Sequence, residues 1–251
     1  MSPNQSFELC LRMGDNALIL GQRLAEWCGH GPILEQDIAL TNISLDLIGQ
    51  SRLWLSLAGQ IEGQGRDEDK LAFFRDSNEF RHVNLCEQPN GHWGTTLMRQ
   101  FLFDAFHLPL LEQLCKVEDQ HVASIAQKSV KEVRYHLRWS SEWVVRLGAG
   151  TDESHEKMEQ ALLDVWPFAG EAIQPNAFDL ELTETCPPYN VQAVNKAWWS
   201  SVNEVFNQAN LDVPEANWAP QKGREGIHTE RLGFILAEMQ FLPRAYPDAQ
   251  W

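Results

Sequence analysis

Carboxylate-x-x-His pairs carry the first chemistry this sequence offers, among them Glu79-Phe-Arg-His82, Glu118-Asp-Gln-His121 and Asp152-Glu-Ser-His155. Residues three apart share a helical face, so each pair can aim an oxygen and an imidazole at one point. Two such pairs, with one Glu from each of two further helices, hold a pair of irons inside a helical bundle. Each pair also has a plainer reading. Glu118 and His121 stand where a helix begins and acidic groups suit the dipole. Asp152 follows a glycine break and reads as an N-cap.

The inward stripes of the long helices test the iron reading. Leu40, Ile43, Leu47, Gln50 and Trp54 lie on one face of the second predicted helix. Ile125, Ala126, Ser129, Val133, His136, Leu137 and Ser140 do so on the longest. A metal site wants Glu-x-x-His in each stripe. The chain shows Leu47-Ile-Gly-Gln50 and Val133-Arg-Tyr-His136 instead. Leucine and valine cannot ligate iron, and two missing carboxylates remove most of the charge that holds two cations. Glu132 and His136 remain as an i,i+4 pair. Asn42, Asp46 and Gln50, with Ser129, His136 and Ser140, read as a polar seam that hydrogen-bonds inside the bundle.

The elements that position these residues are helical throughout, with no sustained alternation. The pattern predicts helices over 15–30, 33–58, 70–86, 95–116, 118–147, 153–168, 191–208 and 229–242. Segment 59–69 is a polar connection, 89–91 a break, and 175–188 irregular because of its prolines. The second helix is apolar nearly all round, as befits a central one. The longest would reach about 45 Å at 1.5 Å per residue. Long helices with short breaks predict an all-α, four-helix bundle with additional helices, one domain over 1–251.

Composition excludes some functions. The formal charge of −15 disfavours nucleic acid or an anionic membrane as partner. No run of about 18 apolar residues spans a membrane, and no signal peptide is visible at the N-terminus. Five Cys without a CxxC spacing argue against disulfides or thiolate zinc and for buried free thiols in a reducing cytoplasm. Ten Trp and twelve Phe predict bulky packing layers or a large interface.

Longer motifs carry a resemblance. They are Asn16 to Gly29, with Gln22-Arg-Leu-Ala-Glu-Trp-Cys-Gly29, then Leu45-Asp-Leu-Ile-Gly-Gln50 and Glu87-Gln-Pro-Asn-Gly91. Lys131-Glu-Val-Arg-Tyr-His-Leu-Arg138, Arg146-Leu-Gly-Ala-Gly-Thr151, His228-Thr-Glu-Arg-Leu-Gly233 and Leu236-Ala-Glu-Met-Gln240 follow, with Pro247 and Trp251 at the end. In this order they resemble the structural C subunit of the bacterial ring 1,2-phenylacetyl-CoA epoxidases. The resemblance implies a ferritin-like fold and a structural, non-catalytic role beside a homologous catalytic A subunit. That subunit carries the di-iron centre, and this chain is expected to hold no cofactor. The complex epoxidises the ring of phenylacetyl-CoA with O2 and reductase-supplied electrons, in aerobic phenylacetate degradation. Leu47, Gln50, Val133 and His136 then mark degraded ligand positions. The resemblance also implies contact with the CoA ester at Glu79, Phe80, Arg81 and His82 and at Leu180, Glu181 and Leu182. Arg81 would meet a phosphate and Phe80 a flat group; the plainer reading is a solvated face with Phe80 in the core. Other subunits of the complex are further partners, and a homodimer is the expected form of the isolated chain. The rival reading makes the chain itself a di-iron oxygenase, with ligands from Glu118, His121, Glu132 and His136.

Overall fold

The computed structural model describes residues 1–218, 220–247 and 249; Trp251, the last residue of the family motifs, lies outside them. Among the described residues ten α-helices follow one another: α1 (Pro3–Ala25), α2 (Leu34–Glu62), α3 (Glu68–Phe73), α4 (Trp93–Leu114), α5 (Gln120–Gly148), α6 (Asp152–Ile173), α7 (Ala177–Thr185), α8 (Val191–Gln208), α9 (Glu230–Met239) and α10 (Phe241–Ala245). Among the described residues the only extended pairing is an isolated bridge between Lys222 and Ile227. The fold is all-helical, as expected. No described helix is long and apolar enough to cross a membrane.

The chain forms two compact units, residues 1–89 with 222–251, and residues 90–221. In the first, α1 and α2 form an antiparallel hairpin. Gly14 faces Leu55 and Trp54, and Gly21 faces Ile48 and Leu47, so the pairing runs in opposite directions along the two helices. A Cβ at Gly14 would sit 2.7 Å from Leu55, which is why the close approach needs glycine. Ser44 Oγ donates to the Gly21 carbonyl at 2.8 Å across the same seam.

In the second unit, α4 and α5 form the other long antiparallel hairpin. Ser140 bonds to Asp104 and Arg134 to Glu112 across it. Helices α6 and α8 pack on α4. Trp166, Trp198, Trp199 and Trp218 gather there, with ring centroids 4.9 to 6.3 Å apart. Trp198 Nε1 donates to the Leu102 carbonyl at 3.0 Å. The predicted bulky layers are this cluster.

Several expectations are corrected. Helix α1 begins at Pro3, not near residue 15. Ser2 caps it reciprocally with Gln5, and Pro3 suits the first turn. The predicted helix over 70–86 is replaced by α3, a 3-10 turn at Ser77–Glu79 and irregular chain. Side chains of α1 take the backbone donors there: Arg81 N–H donates to Asp15 Oδ2 at 2.8 Å and Val83 N–H to Asn16 Oδ1 at 2.9 Å. With those donors engaged, no i→i−4 ladder forms. The stretch 175–188 contains α7, started by reciprocal capping between Asn176 and Asp179. The N-cap of α6 is Thr151, with Asp152 the first helical residue. Helix α2 is not buried all round: Leu34, Ile38 and Leu45 are exposed. Cys28 is exposed too, although Cys10, Cys86 and Cys186 are buried thiols.

Candidate functional site

The predicted inward stripes are interior except for Ile125 and Leu137, which are half-buried. Leu40, Ile43, Leu47, Gln50 and Trp54 on α2 are buried, as are Ala126, Ser129, Val133, His136 and Ser140 on α5. The rest of the α2 polar seam is not, since Asn42 is exposed and Asp46 half-buried. Leu47 and Val133 thus put hydrocarbon where Glu-x-x-His would put oxygen.

The second unit holds a polar cluster that the Glu-x-x-His search missed. Asp104 and His107 stand three apart on the buried face of α4. Gln100 Nε2 donates to Asp104 Oδ1 at 2.7 Å, and Ser140 Oγ to Oδ2 at 2.9 Å. Burial raises the Asp104 carboxyl to about 7, although the nearby His136 and these two bonds pull it down. Burial and the charge of His136 push His107 down to about 3. Among the described residues neither His107 nitrogen nor Gln100 Oε1 has a hydrogen-bond partner. The signal was present as Asp104-Ala-Phe-His107, with the same Asp-x-x-His spacing as Asp152 and His155.

The donor set does not fit a pair of irons. In the first unit the long helices α1 and α2 contribute one buried carboxylate, Asp15; in the second, α4, α5, α6 and α8 contribute two, Asp104 and Glu171. Asp15 is clamped by Arg75, with both of its oxygens engaged by that guanidinium. Asp104 is held up toward its neutral form. A carboxylate-bridged centre takes four anionic oxygen donors beside its two His. The rival ligand set is no better placed. Glu118 and His121 are exposed at the start of α5, where Asp119 is the N-cap, and Glu132 is half-buried. His136 lies fifteen residues beyond His121 on the same helix, about 22 Å along its axis at 1.5 Å per residue.

The first unit has its own buried cluster. His82 does not pair with Glu79, because the 3-10 turn ends at Glu79 and residues 80–82 are not helical. Its Nε2 lies 2.8 Å from Glu87 Oε2. His228 Nδ1 lies 3.1 Å from the same oxygen, and Thr229 N–H donates to Glu87 Oε1 at 2.6 Å. Burial works against the Glu87 anion, but the hydrogen bonds from His228, His82 and Thr229 prevail and hold its carboxyl at about 2. Among the described residues this is the one group of three His, Cys, Asp or Glu whose ligand atoms lie within 4.8 Å of one another. Glu87 and His228 stand in the family motifs, but nothing in the spacing pairs them across 141 positions.

The residues expected at the CoA ester divide by exposure. Phe80 is fully buried, and the Arg75 guanidinium lies over its ring at 4.3 Å, so the ring is a core residue. Arg81 is half-buried. It donates to the Asn78 and Phe80 carbonyls at 2.8 and 2.9 Å and approaches Glu8 at 3.6 Å. Glu79 accepts from the Asp76 N–H at 2.7 Å. It lines an open groove of about 1050 Å³ walled by Arg66, Lys70, Phe73, Phe74, Leu242 and Tyr246. On α7, Leu180 and Glu181 are exposed and Leu182 is buried. Asp152 and His155 belong to the start of α6, where His155 Nδ1 lies 2.6 Å from the Gly148 carbonyl.

Comparison with known proteins agrees with the fold and the motifs. The chain is 46% identical over 248 residues to the C subunit of the 1,2-phenylacetyl-CoA epoxidase of Escherichia coli (strain K12), covering 99% of this chain and 100% of that one. The family described as "Phenylacetic acid catabolic protein" matches residues 1–251. With that match over its whole length, the chain belongs to the Phenylacetic acid catabolic protein family.

Proposed function

We propose that this chain is the structural, non-catalytic subunit of a multicomponent oxygenase that epoxidises the ring of phenylacetyl-CoA in the cytoplasm. It supports a homologous di-iron catalytic subunit and touches the CoA ester. The observation that carries the reading is the poverty of buried anionic donors: Leu47 and Val133 are apolar and fully buried, and Asp15 already belongs to Arg75. The 46% identity to an epoxidase's C subunit, over nearly the full length, supports the assignment to such a complex.

The mechanism is indirect. Leu34, Ile38 and Leu45 are 71, 51 and 64% exposed and fall on one face of α2 at i, i+4 and i+11. An apolar stripe on a helix that long suits a rigid partner surface. Docked there, the chain would hold the catalytic subunit's helices at fixed spacing, which a metal site needs to within about 0.5 Å. For the ester contact each unit is proposed separately: the half-buried Glu79 and Arg81 of the first unit, backed by Phe80 and His82, and the exposed Leu180 and Glu181 of α7 in the second, backed by Leu182.

The test is metal content and oxygenase activity of the chain alone and mixed with its homologous partner. The expected outcome is little iron and no turnover alone, with co-elution and turnover in the mixture. Leu45→Glu with Leu34→Glu should abolish co-elution while leaving the helical content intact. Two irons per isolated chain, with an oxo-bridge absorption, would overturn the reading.

A further inference from the structure

His228 is the residue before the N-cap of α9, and both nitrogens of its ring face oxygen. Nδ1 lies 3.1 Å from Glu87 Oε2, and Nε2 lies 3.1 Å from the Phe80 carbonyl. A carbonyl only accepts, and Glu87, held as the anion, only accepts. A neutral imidazole has one N–H and one lone pair. In either neutral tautomer a lone pair would therefore point at an oxygen lone pair, with the His228 side chain 3% exposed and water shut out. Only the ring protonated at both nitrogens satisfies both neighbours.

The surroundings agree. His82 stacks on His228, centroids 4.2 Å apart and planes 18° from parallel. It is fully buried and directs Nε2 at the same Glu87 oxygen, while its Nδ1 has no partner. Burial and the adjacent His228 charge keep His82 below the ordinary histidine range despite Glu87. The cluster is thus one anion, one cation and one neutral donor. Two His and a Glu are also a zinc donor set. The geometry disfavours it: the rings are stacked with both nitrogens on one oxygen, and His82 Nδ1 lacks the outer acceptor that orients a ligating His.

We propose that His228 is a proton-held clasp: as the imidazolium it ties the C-terminal segment from Lys222 through α10 to the Phe80–Glu87 turn, and loss of that proton frees the segment. Other charged groups facing it are few. Arg23 on α1 donates to the Glu87 carbonyl at 3.1 and 2.9 Å, and the Asp15–Arg75 pair stands behind His82. What the clasp holds in place matters locally. Gln240 donates to the carbonyls of Ala72 and Arg75 at 3.2 and 3.0 Å, and Arg244 to that of Phe73 at 3.2 Å. Helices α9 and α10 also form one wall of the groove beside Glu79, so release would open it.

Imidazole-selective nitrogen NMR of the wild-type chain at pH 7 reads the charge directly. Both His228 nitrogens should give protonated-type signals, and His82 one protonated and one lone-pair nitrogen. Hydrogen exchange of residues 230–245, normalised to α5, should rise at least tenfold between pH 6 and pH 9. His228→Gln should exchange fast at both pH values. A lone-pair nitrogen on His228 at pH 7 would overturn the clasp, as would exchange with no pH dependence. Stoichiometric zinc binding that protects the segment would also overturn it, in favour of a metal site.

Discussion

Replacing Asp104 by Asn should stabilise this protein at neutral pH and leave it unchanged in acid. The carboxyl is fully buried and titrates near 7, whereas an unfolded chain would release the proton near 3.8. Below pH 4 both states keep the proton. Between pH 4 and 7 the unfolded chain gives it up and the folded one does not, so unfolding becomes easier as pH rises. Above 7 the loss levels off. Three pH units at about 1.4 kcal/mol each set an upper bound of roughly 4 kcal/mol, and relaxation of the neighbours brings the expected value to about 2–4 kcal/mol. Asparagine keeps the geometry: its oxygen can accept from Gln100, and its amide can donate to Ser140 Oγ, which already bonds to the Leu137 carbonyl at 3.2 Å. At about 2–4 °C per kcal/mol for a chain of this size, Tm at pH 8 should rise by roughly 10 °C. Thermal unfolding by circular dichroism from pH 4 to 8, taken as the difference between variant and parent, isolates this one group. A difference that does not change with pH, or a less stable variant at pH 8, would refute the reasoning.

Two further outcomes rest on separate contacts. Glu87 is held near 2 against an ordinary 4.5, so its stabilisation is complete above about pH 4.5 and drains away as pH falls toward 2; Glu87→Gln should lack that acid slope in denaturant titrations, and a parallel pair of curves would count against the cluster's charge assignment. Leu47→Glu introduces a carboxylate at a fully buried position of α2; lacking other donors, it should bind no iron and lose about 3–5 kcal/mol in urea unfolding, whereas a stable variant that takes up iron would refute the argument from missing carboxylates.

Periodicity made the long elements legible. Helices α2, α4, α5 and α8 lie within a few residues of where the apolar pattern puts them, and the breaks at Gly63, Pro89–Gly91 and Gly148–Gly150 are marked by their residues. The first half of α1 was hidden because its buried face carries Gln5, Ser6, Arg12, Asp15 and Asn16, which break a hydrophobic stripe as solvent-facing residues would. Two of those side chains, Asp15 and Asn16, serve residues far along the chain. Asp15 and Asn16 take the backbone donors of residues 81 and 83, which also explains why the helix predicted there fails. Helix α7 was hidden by prolines that in fact flank it. At the candidate sites, the burial of Leu47 and Val133 on their helices was readable from spacing alone. The partners of His82 were not, since Glu87 lies five residues away on irregular chain and His228 returns from the C-terminal segment.

Asp104 bears on what the interior of such a subunit is for. Its raised pKa costs stability at neutral pH, and among the described residues its neighbours Gln100 and His107 are left with unpartnered polar atoms. Hydrocarbon side chains would hold the α4–α5 hairpin together at less cost. The bond from Ser140 offers one reason for the Asp: it fixes which turn of α5 faces which turn of α4, and a shifted register would displace every outward side chain a partner meets. Asp104→Asn separates the alternatives, because it keeps the bond and removes the charge. A variant that is more stable at pH 8 and still co-elutes with the catalytic subunit assigns the residue to register alone, which is the expected result. A stable variant that no longer assembles would mean that the buried titratable group itself, and not the hydrogen bond it makes, is what the complex uses.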